Sequence, residues 1–84
     1  MKLIFAEEGW DDYLYWQQQD KRVLKRINEL IAAAMRDPFG GIGKPEPLKH
    51  ALAGFWSRRI TEEHRMVYRA DKVALLIAQL RYHY

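Results

Sequence analysis

Phe55-Trp56-Ser57-Arg58-Arg59-Ile60, then His64-Arg65-Met66-Val67-Tyr68-Arg69-Ala70, then Val73-Ala74-Leu75-Leu76-Ile77-Ala78-Gln79-Leu80-Arg81-Tyr82 are three short runs rich in aliphatic and aromatic residues. They fill the end of an 84-residue chain. Thr61-Glu62-Glu63 and Asp71-Lys72 separate them, and both read as turns. Links so short leave no room for a crossover, so the three strands are predicted to pair antiparallel.

Upstream of these runs the pattern changes. Residues 37–54 hold all three prolines and read as an irregular segment. Before it, Val23, Leu24, Ile27, Leu30, Ile31 and Ala34 recur at helical spacing, with Lys21, Arg22, Lys25, Arg26 and Glu29 on the other side. The spacing predicts a helix from Lys21 to about Arg36, capped by Asp20 and stopped by Pro38. A first helix is predicted over Glu7 to Gln18, with Trp10, Tyr13, Leu14 and Gln17 on one face. Glu7, Glu8, Asp11 and Asp12 load its first turns with negative charge, which suits the positive end of a helix dipole. Lys2-Leu3-Ile4-Phe5 reads as a short strand. The expected architecture is α+β: a strand, a helical hairpin, then antiparallel strands forming one twisted sheet with the helices on one face. Trp10, Tyr13, Leu14, Ile27, Leu30, Leu75 and Ile77 are the expected core, with Trp56 buried in the sheet. Trp16 fits either the core or a partner surface.

One domain spanning residues 1–84 is the expectation at this length. Hydrophobic content of 49% and charged content of 30% describe a globular chain. The absence of cysteine excludes disulfides and thiolate metal sites. Lys2 is followed by only a short apolar run before Glu7 and Glu8, so no signal peptide is expected, and no apolar stretch approaches membrane-spanning length. A soluble cytoplasmic protein is the expectation. The net charge of +3 is uneven. Residues 1–40 carry −1, whereas residues 41–84 carry +4 and all three histidines. Basic charge gathered in one half of a small chain points to a polyanionic partner.

Several side chains in that half suit metal-free cleavage of RNA. Glu46 lies between Pro45 and Pro47, which stiffen the loop and position the carboxylate as a general base does. His83 is the candidate general acid, because an imidazole with an ordinary pKa of about 6.5 exchanges protons near neutrality. Tyr82 and Tyr84 flank it and offer stacking surfaces for exposed bases. Arg59 and Arg65 are candidates for binding phosphate and neutralising a phosphorane, with Arg58, Arg69 and Arg81 competing for that role. Lys44, Lys49 and His50 are candidate phosphate contacts. No histidine or carboxylate spacing suits a metal, and Gly40-Gly41-Ile42-Gly43-Lys44 lacks the flanking elements of a phosphate loop. Strand parity adds a condition. A two-residue turn at Asp71-Lys72 would pair Arg65 with Ala78 and put His83 on the opposite face. A shared role for Arg65 and His83 therefore requires an odd-numbered connection or a bulge.

Trp10 through Trp16, Gly43-Lys44-Pro45-Glu46-Pro47-Leu48-Lys49-His50, Gly54 through Ile60, His64-Arg65, Val67-Tyr68 and the closing Arg81-Tyr82-His83-Tyr84 together resemble the YoeB toxins of the RelE/ParE toxin–antitoxin superfamily. The resemblance runs the length of the chain. It implies a microbial-ribonuclease-like fold and a toxin that cuts mRNA in the ribosomal A site, inhibiting translation. It also implies chemistry without metal or cofactor, by attack of the ribose 2′-hydroxyl on its own phosphate. By position, Glu46 matches the family's general base, His83 its general acid and Arg65 its transition-state stabiliser. Arg59 lies beside Arg65, Tyr84 completes the base-stacking site, and Lys49 matches a basic residue there. The resemblance further implies a cognate YefM-like antitoxin with an acidic, partly disordered tail, and a toxin homodimer. Three positions depart from it. Ala6 stands where a capping hydroxyl is usual, Ile42 where a basic residue is frequent, and Leu80 where Cys is frequent.

Two other readings stand beside this one. ParE-like members of the superfamily bind DNA gyrase, but they generally lack the Pro-Glu-Pro loop and the terminal Tyr-His-Tyr. A module that binds RNA or the ribosome without cutting would need the basic residues and would not need Glu46.

Overall fold

Helix α2 (Lys21–Arg36) forms over the stretch with the regular apolar stripe, and it buries Ile27, Leu30, Ile31, Ala33 and Ala34. The computed structural model describes residues 1–82. Asp20 starts α2: its carboxylate accepts from the backbone N–H of Arg22 at 2.9 Å and of Val23 at 3.3 Å. Its own N–H closes helix α1 (Glu7–Gln19) by donating to Trp16 O. One residue thus ends one helix and caps the next, satisfying groups that both helix ends would leave orphaned. The Tyr13 hydroxyl donates to Asn28 Oδ1 at 2.8 Å, joining residues nearly equidistant from Asp20. That symmetry is the signature of an antiparallel hairpin.

Strands β1 (Lys2–Phe5), β2 (Glu46–Pro47), β3 (Trp56–Arg59), β4 (Arg65–Ala70) and β5 (Ala74–Gln79) form one sheet in the order β1-β5-β4-β3-β2. The predicted antiparallel pairings of β3 with β4 and of β4 with β5 are present. The sheet is mixed, because β1 runs parallel to β5 with Phe5 opposite Ile77. The helices cover one face. Ile27, Leu30, Ile31 and Ala34 meet Ile60, Met66, Tyr68, Leu75, Ile77 and Leu80 there. Each large apolar side chain so buried contributes about 1.5–3 kcal/mol. Among the described residues no helix is long and apolar enough to cross a membrane.

Four expectations are corrected. The buried side of α1 is not the Trp10–Leu14 face: Trp10 is 46% exposed and Leu14 is 38% exposed, and Tyr13 is half-buried. Gly9, Asp12 and Trp16 face inward instead. A Cβ at Gly9 would overlap the carbonyl oxygen of Ile77, so glycine is what lets the helix lie against β5. Trp56 is half-buried and packs on Phe39 at 4.9 Å between ring centroids. The Pro-Glu-Pro loop is a short edge strand, β2, not an irregular loop. The last hairpin turns at Lys72-Val73, two residues later in register than predicted. The Asp71 carboxylate accepts from the N–H of Val73 and Ala74, which sets that turn.

Candidate functional site

Cross-strand partners share a face of a sheet, so the register says which residues line the side away from the helices. One row across that open side runs Glu46, Ser57, Val67, Gln79. The next row holds Arg59 directly opposite Arg65. Ser57 and Val67 are buried and form the floor, while Glu46 and Arg59 are exposed and Arg65 is half-buried. The sequence candidates Glu46, Arg59 and Arg65 therefore stand together on one surface. Arg69, one row from Val67 on the side away from Arg65, lies over the Phe55 ring at 5.1 Å.

Two cations directly opposite each other on neighbouring strands repel, and an anion between them relieves the repulsion. Arg65 is fixed from behind. Its Nη1 donates to the carbonyls of Thr61, Glu62 and His64 at 2.9, 3.2 and 3.3 Å. Arg59 N–H donates to Gly43 O at 2.7 Å, which ties the start of the Lys44-Pro45-Glu46 segment to β3. Gly43 has φ of +86°, and a Cβ there would lie 2.6 Å from Leu30 Cδ2. Glycine lets this loop press onto α2 and so fixes where Glu46 begins its strand.

Glu46, Pro47, Leu48, Lys49, His50 and Leu52 line a depression of about 370 Å³. It gathers the candidate base with two of the candidate phosphate contacts. Among the described residues, the non-glycine positions with left-handed backbone are Lys44 at φ +51°, His50 at +58° and Tyr82 at +60°. All three were singled out in the sequence as RNA contacts. Such backbone costs on the order of 1–3 kcal/mol per residue and clusters at functional sites.

Arg58 is removed from the phosphate-binding candidates. It is fully buried on the helix side, where Nε donates to Tyr68 Oη at 3.0 Å and Nη1 to Ile42 O at 2.8 Å. Its Nη2 donates to Asp37 O and Gly40 O, both at 2.7 Å. Tyr68 Oη passes its own hydrogen to Pro38 O at 2.6 Å. Burial pushes the Tyr68 phenol above its ordinary value, against the pull of the Arg58 guanidinium. Arg58 is thus the peg that shapes the loop leading to Glu46. Arg81 stacks over the Tyr15 ring at 3.6 Å.

The parity condition is met through its second branch. Ala70, Arg69 and Tyr68 pair with Leu75, Leu76 and Ile77, but Val67 pairs with Gln79, so a bulge at Ala78 shifts the register by one. Tyr82 is exposed, and its carbonyl accepts from Arg65 N–H at 3.1 Å. His83 and Tyr84 lie outside the described residues. Sequence reasoning missed Asp12, Trp16 and His64, which bond the backbone of Leu80 and Tyr82. An acid on the otherwise apolar inner stripe of α1 was the available signal.

A family model described as the YoeB-like toxin of bacterial type II toxin–antitoxin systems matches residues 5–84. Toxin YoeB of Escherichia coli strain K12 is 69% identical over 84 residues, covering 100% of both chains. The structure of a YoeB/ParE toxin from Agrobacterium tumefaciens superposes with a TM-score of 0.96 at 53% identity, covering 100% of each chain. The toxin in a YoeB–YefM complex from Staphylococcus aureus gives a TM-score of 0.91 at 45% identity, covering 100% of this chain and 98% of that one. This chain belongs to the YoeB-like toxins of bacterial type II toxin–antitoxin systems.

Proposed function

We propose that the open face of the sheet is the site of an endoribonuclease that cuts mRNA in the ribosomal A site. The observation that carries this is the Arg59–Arg65 pair set one row from Glu46 on the exposed side of β2, β3 and β4. Glu46 takes the proton of a ribose 2′-hydroxyl. The 2′-oxygen bonds to the adjacent phosphorus and the bond from phosphorus to the 5′-oxygen breaks. Arg65 and Arg59 neutralise the charge that gathers on the phosphoryl oxygens between these events. His83 returns a proton to the departing 5′-oxygen, so the products end in a cyclic phosphate and a 5′-hydroxyl. Tyr84 and Tyr82 stack on bases, and Lys44, Lys49 and His50 hold backbone phosphates. The ribosome bends the message so that the 2′-oxygen, phosphorus and 5′-oxygen lie in line. The protein acts as a homodimer in the cytoplasm, and a YefM-like antitoxin covers the basic face.

Translation of a defined mRNA in a purified bacterial system tests this, with wild-type protein and with His83→Ala, the message's 5′ ends being mapped by primer extension. New ends at the A-site codon with wild type alone support cleavage. Arrested translation with intact message would make the protein a ribosome-binding inhibitor and withdraw the roles of Glu46 and His83.

A further inference from the structure

Strand β1 accompanies β5 only as far as Phe5 opposite Ile77. Ala6 N–H still donates to Ile77 O at 2.9 Å, and then the chain turns into α1. Beyond that point the end of β5 has no strand on this side, and its backbone groups need other partners. Helix α1 supplies them. Its three buried residues are Gly9, Asp12 and Trp16, at spacings that put them on one stripe. Gly9 brings the helix onto Ile77. Asp12 Oδ2 then accepts from Leu80 N–H at 2.9 Å, and Trp16 Nε1 donates to Leu80 O at 2.9 Å. The same residue is held by its backbone donor and by its backbone acceptor, both from one helix face.

The next residues are held as well. His64 Nδ1 accepts from Tyr82 N–H at 2.7 Å, and Arg65 N–H donates to Tyr82 O at 3.1 Å. The His64 ring lies edge-on to Trp16 at 4.9 Å and against Tyr82 at 5.1 Å. Asp12 is 8% exposed, and a carboxylate that far from water is costly unless it is bonded. Among the described residues its hydrogen-bond partner is Leu80 N–H. An apolar residue at position 12 would serve the core with less desolvation cost. The carboxylate instead bonds the backbone N–H of Leu80, the residue before Arg81-Tyr82.

We propose that Asp12, Trp16 and His64 are positioning residues that fix the backbone at Leu80 and Tyr82 for RNA cleavage. The part of this proposal that concerns cleavage rests on the reading of the site given above; the backbone clamp does not. Trp16→Phe keeps a ring and deletes the donor. Asp12→Leu keeps bulk and deletes the acceptor, while Asp12→Asn keeps an acceptor oxygen and serves as the rescue. Each variant is measured three ways: thermal melting, amide hydrogen exchange at Leu80, Tyr82 and Met66 in the free toxin, and mRNA cleavage on ribosomes with kcat and KM separated.

Expected for Asp12→Leu and Trp16→Phe is faster exchange at Leu80 and Tyr82 with Met66 still protected. Their kcat should fall about 10- to 100-fold with KM unchanged, as for a misplacement on the order of 1 Å, and Asp12→Asn should recover most of that loss. Exchange that rises equally at Met66, in step with a lowered melting temperature, would overturn the proposal, since the residues would then only support the core. Wild-type kcat with loosened Leu80 and Tyr82 amides would overturn it too. Wild-type protein that leaves the message intact would sink the ribonuclease reading, and the clamp would then be decided by exchange alone: faster at Leu80 and Tyr82 supports it, unchanged overturns it.

Discussion

Arg58 and Arg59 are consecutive on β3, yet Arg58 is fully buried among carbonyl oxygens on the helix side and Arg59 is exposed beside Arg65 on the open side. Strand alternation alone separates them. The helix side spends a guanidinium on architecture: it gathers the carbonyls of Asp37, Gly40 and Ile42 and so shapes the loop ahead of Glu46. The open side leaves the Arg59 side chain exposed opposite Arg65, where the proposed mechanism uses it. Residue type therefore does not reveal which arginine is available to a phosphate, and strand parity shows that Arg59 is exposed while Arg58 is not.

The widest split between the two sides should come from the two arginines. Arg58→Leu strips donors from three carbonyls and from Tyr68 Oη. At about 1–3 kcal/mol for each buried group left unsatisfied, this is enough to unfold so small a chain, and urea melts would show it. If Arg58→Leu melts like wild type, the architectural role is wrong. Ile27→Ala, in the core, should cost about 2–5 kcal/mol, whereas Leu14→Ala, on the exposed side of α1, should stay within about 0.5 kcal/mol. Equal losses at the two positions would mean that the face of α1 is misassigned. Arg59→Ala should melt like wild type but lose on the order of 100-fold in kcat for mRNA cleavage. Loss of stability together with activity would erase the contrast with Arg58.

Tyr68→Phe removes one buried hydroxyl and should cost about 1 kcal/mol. It also changes the alkaline limb. Burial holds the Tyr68 phenol above its ordinary value of 10.0, so the folded protein keeps a proton that the unfolded chain releases. Stability from this source is full below that ordinary value and is lost as pH rises through the folded one. Melts of wild type and Tyr68→Phe should converge above pH 10, and parallel curves would refute the linkage. The smallest effect belongs to Asp71, whose carboxyl is held below the usual range by the N–H groups of Ala74 and Val73. Its contribution is present above the ordinary carboxylate value and fades as pH falls through the lowered one. Asp71→Ala should flatten only that acid limb.

The sequence carried α2 and its Asp20 cap because apolar spacing and capping chemistry are local. It carried the three long strands for the same reason. The inner stripe of α1 was not legible, since Gly9 and Asp12 do not read as buried residues. One is there for a close backbone approach and the other for a hydrogen bond to a peptide 68 residues away. Trp10 and Leu14 look like core by type and are exposed. The bulge at Ala78 leaves no mark in composition, although the need for some register shift did follow from parity. Within the candidate site, Glu46, Arg59, Lys44, Lys49 and His50 were legible through charge and proline spacing. Arg58 could not be told from Arg59 until the register of β3 was known. His64 reads only as the start of a strand beside Arg65, and its partner, the Tyr82 amide, is fixed only by the fold.

Strand β2 lies at the rim of the sheet, and its prolines have a consequence for assembly. Leu48 N–H donates inward to Phe55 O, and Glu46 shares its parity opposite Ser57. The backbone nitrogens that point away from the sheet are therefore those of residues 45 and 47, and both belong to proline, which has no hydrogen to give. An incoming strand would find no outward donor along Pro45-Glu46-Pro47. The rim that carries Glu46 is thereby closed to the edge-to-edge stacking that leads to fibres, while its side chains remain open to solvent.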